Sequence, residues 1–411
     1  MKVEPFRIAV PDTVLADLRE RLARTRWPDE VSGAGWGYGA NLAYMRELIE
    51  YWLTEFDWRA QERAMNAFAH FRAEVDGLGI HFIHERGTGP DPIPLLITHG
   101  WPSSFTEMLD LIPLLADPGA NGADPLDSFD VVVPSIPGFG FSERPVQPGM
   151  TRSHVAELWV RVMEGLGYPR FAAHANDIGA VISAFIALRQ PERLIGYHTL
   201  MPDFPSPHVG PQGPEPTEEE RVFLEVQRRW EEEEGGYNVI QQTRPQTLAY
   251  GLNDSPAGLA AWIVEKWRAW TDPDGDLDQS FTKDQLLANV MVYWATETAN
   301  SSGRSYFERA RDPRRVKPEE RVRVPTGVAL TTEAVQHAPR SWVERRYTDI
   351  RWWTEFSRGG HFIALEEPEL LAADLRSFFR QFRGPATGVE GPAEGIIAEQ
   401  TTERDPGGQR I

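Results

Sequence analysis

The 411-residue chain contains no cysteine. Disulfides, thiolate catalysis and cysteine-ligated metal centres are therefore excluded. Basic charge is scarce: 42 Lys and Arg stand against 61 Asp and Glu, a formal charge of −19. Such a surface repels phosphate backbones, so no nucleic acid partner is expected. No stretch approaches the roughly 20 apolar residues that a membrane-crossing helix needs. The opening MKVEPFRIAVPDTVLADLRERL is charged and broken by Pro5 and Pro11, unlike a secretory signal. A soluble, cytoplasmic protein without a membrane partner is expected. The motifs Gly-x-Ser-x-Gly and His-Glu-x-x-His are both missing. His81 and His84 stand at an odd offset on a strand pattern and face opposite sides, a poor metal pair. No metal and no cofactor are expected.

What is present is apolar mass. Hydrophobic residues make up 41% of the chain, with 14 Trp among them. That suffices for a large core with additions. Residues 1–75 read as a helical meander, with a helix start at Pro11-Asp12-Thr13 and a second helix over Leu42 to Phe56. From about residue 76, short apolar runs alternate with amphipathic segments: Ile80 to His84, Pro94 to His99, Val131 to Pro134, Phe171 to Asp177 and Ile195 to Met201. Helical patterns lie between them, at Ser104 to Leu115, His154 to Leu166 and Ala180 to Leu188. This alternation predicts an α/β fold with a doubly wound, mostly parallel sheet.

Residues 203–320 interrupt the alternation. After a proline-rich stretch, Thr217 and Glu220 form a capping box, and further helices are predicted over Pro256 to Trp270 and Lys283 to Ala295. This range reads as a helical cap inserted between core segments 76–202 and 321–383. The tail, residues 384–411, has few large apolar residues and is expected to be disordered.

Three segments carry chemistry. In Phe171-Ala-Ala-His-Ala-Asn-Asp-Ile-Gly-Ala180, small residues Ala175 and Gly179 flank Asp177 two before and two after. A nucleophile elbow needs that spacing, because the backbones crowd there. The elbow therefore presents a carboxylate. A strand-end Asp capping a helix is the bland alternative. The loop Thr98-His-Gly-Trp-Pro-Ser103 would lend the Trp101 N–H to an oxyanion hole, with the Ile178 N–H as second donor. Arg358-Gly-Gly-His361-Phe supplies a late histidine, and Glu333, after the run Val324 to Thr332, completes the order nucleophile, acid, base.

Together these segments resemble the microsomal-type epoxide hydrolases, including the juvenile-hormone epoxide hydrolases of insects. The likeness extends over roughly residues 4–383. It is carried by Pro5-Phe-Arg-Ile-Ala-Val-Pro11, Leu22-Ala-Arg-Thr-Arg-Trp-Pro28, His99-Gly-Trp-Pro102, Ile136-Pro-Gly-Phe-Gly-Phe-Ser142, Leu252 to Trp262 and Thr282 to Trp294. The resemblance implies an α/β-hydrolase fold with a helical cap and an epoxide N-terminal meander. It implies two cap tyrosines as acids, placed here at Tyr237 and Tyr306. The implied reaction forms a hydroxyalkyl ester on Asp177, which water activated by His361 hydrolyses to a vicinal diol. The substrate would be a small-molecule epoxide, aromatic or lipophilic, as in secondary metabolism. A homodimer stays open.

The chain departs from the family pattern in three places. Ile178 stands where Trp is frequent, Ala175-Asn176 replaces Gly-Gly, and the acid Glu333 falls one residue early. The alternative reading is a haloalkane dehalogenase, which shares the Asp–His–acid logic but does not need two phenols. A non-catalytic binding protein on the same scaffold is opposed by the intact constellation.

Overall fold

The computed structural model describes residues 1–204, 215–272, 276–333, 335 and 337–383. The expected disorder of the tail, and most of the proline-rich stretch, lie outside these residues. Among them the strands form one sheet. These are β1 (Val3–Pro5), β2 (His70–Val75), β3 (Leu78–Glu85), β4 (Ile93–Thr98), β5 (Phe129–Pro134), β6 (Phe171–Ala175), β7 (Leu194–Thr199), β8 (Thr326–Leu330) and β9 (Ile350–Glu355). Their order is β1-β2-β3-β5-β4-β6-β7-β8-β9. From β5 through β9 every pairing is parallel, while β1, β2 and β3 extend the sheet antiparallel.

The central strands are apolar without alternation. β5 and β6 are buried at every position, as strands covered on both faces must be. The helix Asp177–Arg189 packs on the sheet and is buried nearly all round. β4 lies between β5 and β6, so the chain winds away from it in both directions. Such a switch point opens a crevice at the carboxyl ends of the strands, where ligands bind. The loops after β4 and β6 both end there.

The reading of residues 1–75 as wholly helical is corrected. Helices Asp12–Ala23, Leu42–Thr54 and Trp58–Met65 are present, but β1 and β2 bracket them. From Arg72 onward β2 alternates exposed and buried positions, the two-residue period of a half-covered strand. It joins β3 through Asp76-Gly77, both at positive φ (54° and 76°). Asp-Gly between alternating runs is a strong hairpin signal. The pattern Ser104 to Leu115 also divides, into a short 3-10 turn Phe105–Met108 and a helix Leu111–Ala116.

Between β7 and β8 the chain forms helices Glu218–Glu233, Gly236–Thr243, Pro245–Leu252, Pro256–Trp270, Lys283–Thr296 and Ala299–Arg311, with the Thr217–Glu220 capping box in place. These helices grip the core loops. Asn289 Nδ2 donates to the Pro102 carbonyl at 2.8 Å, and the Tyr293 hydroxyl donates to the Ser103 carbonyl at 2.6 Å. Among the described residues no helix is long and apolar enough to cross a membrane.

Candidate active site

Asp177 is separated from β6 by Asn176 alone and is the first residue of the helix Asp177–Arg189. Its φ is 47°, a left-handed conformation that a side chain rarely adopts. The surroundings enforce the bend. A Cβ on Gly179 would lie 2.1 Å from the Thr98 carbonyl oxygen, and one on Gly100 would lie 2.4 Å from Asp177 Oδ1. Glycine is therefore required at both positions for β4, β6 and their loops to approach this closely. The Trp101 N–H donates to Asp177 Oδ1 at 2.9 Å. Ile178 lies in the first turn of the same helix, where N–H groups lack intrahelical partners.

His361 follows β9 on a loop held from two sides. Its N–H donates to the Trp270 carbonyl at the end of the cap helix, 2.8 Å away, and its own carbonyl accepts from Asn176 Nδ2 at 2.7 Å. Its Nδ1 pairs with Glu333 Oε2 at 2.9 Å. Burial alone would depress the imidazole pKa. The nearby Glu333, Asp177 and Glu107 charges more than offset that, raising it to about 9. With Nδ1 committed to Glu333, Nε2 is the nitrogen left for proton transfer.

Tyr237 and Tyr306 come from two different cap helices, Gly236–Thr243 and Ala299–Arg311, and meet at the cavity that Asp177 also lines. Their rings lie edge to face at 5.8 Å. The Trp101 ring stacks on Tyr237 at 4.9 Å, within 6° of parallel, and meets Tyr306 edge-on at 6.0 Å. The Tyr306 hydroxyl is buried without a hydrogen-bond partner of ordinary geometry. Burial and the Asp177 charge push both phenols above their usual pKa, so both are protonated donors at neutral pH.

Asp177, His361, Glu333, Tyr237 and Tyr306 all line one cavity of about 310 Å³. Its apolar walls are Val181, Met201, Phe204, Trp230 and Trp270. Among the large aromatic residues of the cap, Trp230 lines the cavity. Trp267 instead stacks on Phe362 at 4.7 Å, and Tyr293 is fully buried holding the Ser103 carbonyl. A second cavity of about 450 Å³ lies between the N-terminal meander and Ser255 to Ala261, away from this constellation.

Three residues matter to which the sequence reading gave no role. Asn176 ties the elbow to the His361 loop. Glu107 is a buried carboxyl that hydrogen-bonds Ser103, and burial raises its pKa to about 7. Arg152 is a buried cation on the cavity wall. A lone polar residue carries no signal of this kind before its neighbours are known, although the Ser103-x-x-x-Glu107 spacing fits one turn.

Comparison with known proteins agrees with the geometry. Residues 3–108 match the family described as epoxide hydrolase N terminus, and residues 93–232 match the alpha/beta hydrolase fold. The chain is 36% identical to epoxide hydrolase 1 of Oryctolagus cuniculus, over 92% of this chain and 88% of that one. The juvenile hormone epoxide hydrolase of the silkworm Bombyx mori superposes with a TM-score of 0.79 at 31% identity, covering 93% and 94% of the two chains. The Aspergillus niger epoxide hydrolase superposes with a TM-score of 0.81 at 26% identity, covering 93% and 97%. By these matches, with Asp177 on its strand–helix turn and two phenols on the same cavity, the chain belongs to the microsomal-type epoxide hydrolase family.

Proposed function

We propose that this epoxide hydrolase opens its substrate through a covalent ester on Asp177. The observation that carries the reading is the convergence of Asp177, His361–Glu333 and the two phenols on one partly apolar cavity. Trp101 N–H holds Oδ1, which leaves Oδ2 to attack. Oδ2 forms a bond to one oxirane carbon from the back side as the carbon–oxygen ring bond breaks. The departing oxygen takes a proton from Tyr237 or Tyr306, and the phenolate regains one from solvent. The product of this step is a hydroxyalkyl ester.

Ester formation also prepares the second step. Asp177 loses its charge, and that charge is one of the groups holding His361 protonated. The imidazole pKa falls, and the neutral ring takes a proton from water. The resulting hydroxide equivalent attacks the ester carbonyl, whose oxygen rests on Trp101 N–H and Ile178 N–H. The tetrahedral adduct collapses by expelling the diol oxygen, which takes the proton from His361, and the carboxylic acid left on Asp177 releases its proton to solvent, restoring the carboxylate. Glu333 fixes the imidazole and balances its charge. Five side chains and two backbone N–H groups are thus asked to act in one cytoplasmic enzyme on a small, lipophilic epoxide.

The test is His361→Gln, which leaves ring opening intact and blocks hydrolysis. Incubation with styrene oxide is expected to add one substrate mass to the Asp177 peptide. Diol formation at an undiminished rate with no adduct would overturn the scheme.

A further inference from the structure

Arg152 is an unusual residue to find where it lies. It is the first residue of the helix Arg152–Gly165, at the positive end of the helix dipole, where a cation is disfavoured. It is only 5% exposed. Its guanidinium covers the face of Tyr306, 5.4 Å from the ring centroid, and it lines the same cavity as Asp177. It forms no ion pair or hydrogen bond with any described residue, and its Nε is sealed without a partner. Burial lowers its pKa to about 10, so it remains a cation at neutral pH. Buried charges are costly unless something neutralises them.

The other charged groups of the cavity do not neutralise it fully. Glu333 is committed to His361, and Asp203 pairs with Arg346 at 3.1 Å. Glu231 is an exposed group at the rim, as is the cation Arg309. Asp177 remains as the nearest balancing charge. It disappears when the ester forms, which leaves Arg152 facing the bound substrate.

We propose that Arg152 receives an anionic group of the substrate, so that this site takes an epoxy acid: a carboxylate on an apolar body. The proposal rests on the reading of Asp177 as the nucleophile. Trp230, Trp270 and Phe204 accommodate the apolar body, and Arg152 places the carboxylate on the Tyr306 side of the oxirane. Arg309 at the mouth draws the anion in. The mechanism does not require Arg152 for either proton transfer, so its charge is free to act in selection.

The full chain, Arg152→Lys and Arg152→Met are assayed on two epoxy acids, trans-3-phenylglycidate and 4-carboxystyrene oxide. Each acid is compared with its methyl ester, and styrene oxide serves as the activity control. The unmodified chain is expected to favour the acid over the ester by at least tenfold in kcat/KM for one pair. In Arg152→Met that ratio falls at least tenfold, mainly through KM, whatever change is common to both substrates. Arg152→Lys keeps part of the preference. Preference for the ester in both pairs overturns the proposal, even if Arg152→Met fails to fold. Equal losses on acid and ester also overturn it, because they assign Arg152 to the reaction itself or to the fold. Turnover of styrene oxide alongside either result leaves the Asp177 reading standing. No diol from any of the epoxides sinks that reading instead.

Discussion

The Asn176 side chain joins the two halves of the site: its amide donates to the His361 carbonyl at 2.7 Å while its oxygen accepts the Asp177 N–H at 2.8 Å. Ala175-Asn176 stands where the family resemblance implies Gly-Gly, and here the asparagine spans the Asp177 turn and the His361 loop. Asn176→Ala removes one buried hydrogen bond on each side, each a net contribution of about 1 kcal/mol. Hydrolysis of the ester is expected to slow roughly tenfold, with ring opening less affected. Rapid-quench mass spectrometry would show a larger fraction of alkylated enzyme at steady state.

Gly100 fixes the distance between the Trp101 loop and the Asp177 carboxylate. A methyl group there would sit 2.4 Å from Asp177 Oδ1. Gly100→Ala should therefore push the Trp101 N–H off the carboxylate. Loss of one such donor costs about 3 kcal/mol, roughly a hundredfold in rate. Turnover of styrene oxide and the melting temperature, measured together, check that activity falls far more than stability.

Tyr306→Phe separates stability from activity as well. Among the described residues the buried hydroxyl makes no hydrogen bond of ordinary geometry and interacts with the Tyr237 phenol. Removing it costs little beyond that interaction, so Tm should change little. Ring opening should nonetheless fall by about 10² or more, because a general acid is lost. Single-turnover alkylation rates beside thermal melts would read both effects.

His361 carries a pH signature. Its folded pKa of about 9 lies above the ordinary value of 6.5. The folded state binds the extra proton between these values. The resulting stabilisation is complete below 6.5 and is lost as pH rises through about 9. The Tm difference between the unmodified chain and His361→Gln should be widest near pH 6 and shrink by pH 9.5. A difference that grows with pH would contradict the charge network around Glu333.

Local patterns carried much of this site in the linear sequence. Ala175 and Gly179 announce the elbow because crowding tolerates only small residues there, and the structure shows Gly179 hard against Thr98. Thr217 and Glu220 announce a helix start because both partners of the cap are local. The strands β1 and β2 were missed, since three helices separate them and β1 has only three residues, although Asp76-Gly77 marked the hairpin. Tyr237 and Tyr306 are 69 positions apart, and nothing local pairs them; only family likeness pointed to both. Arg152 and Asn176 matter through what the folded chain sets beside them, which no spacing rule encodes.

The central claim is that oxygen enters the diol by way of Asp177. A single turnover with enzyme in excess, run in water labelled with ¹⁸O, reads this directly. Water attacks the ester carbonyl, so the heavy oxygen is expected in the Asp177 carboxylate and absent from the first diol released. Heavy oxygen in that first diol, with an unlabelled Asp177 peptide, would mean that water opens the ring itself and that no ester forms.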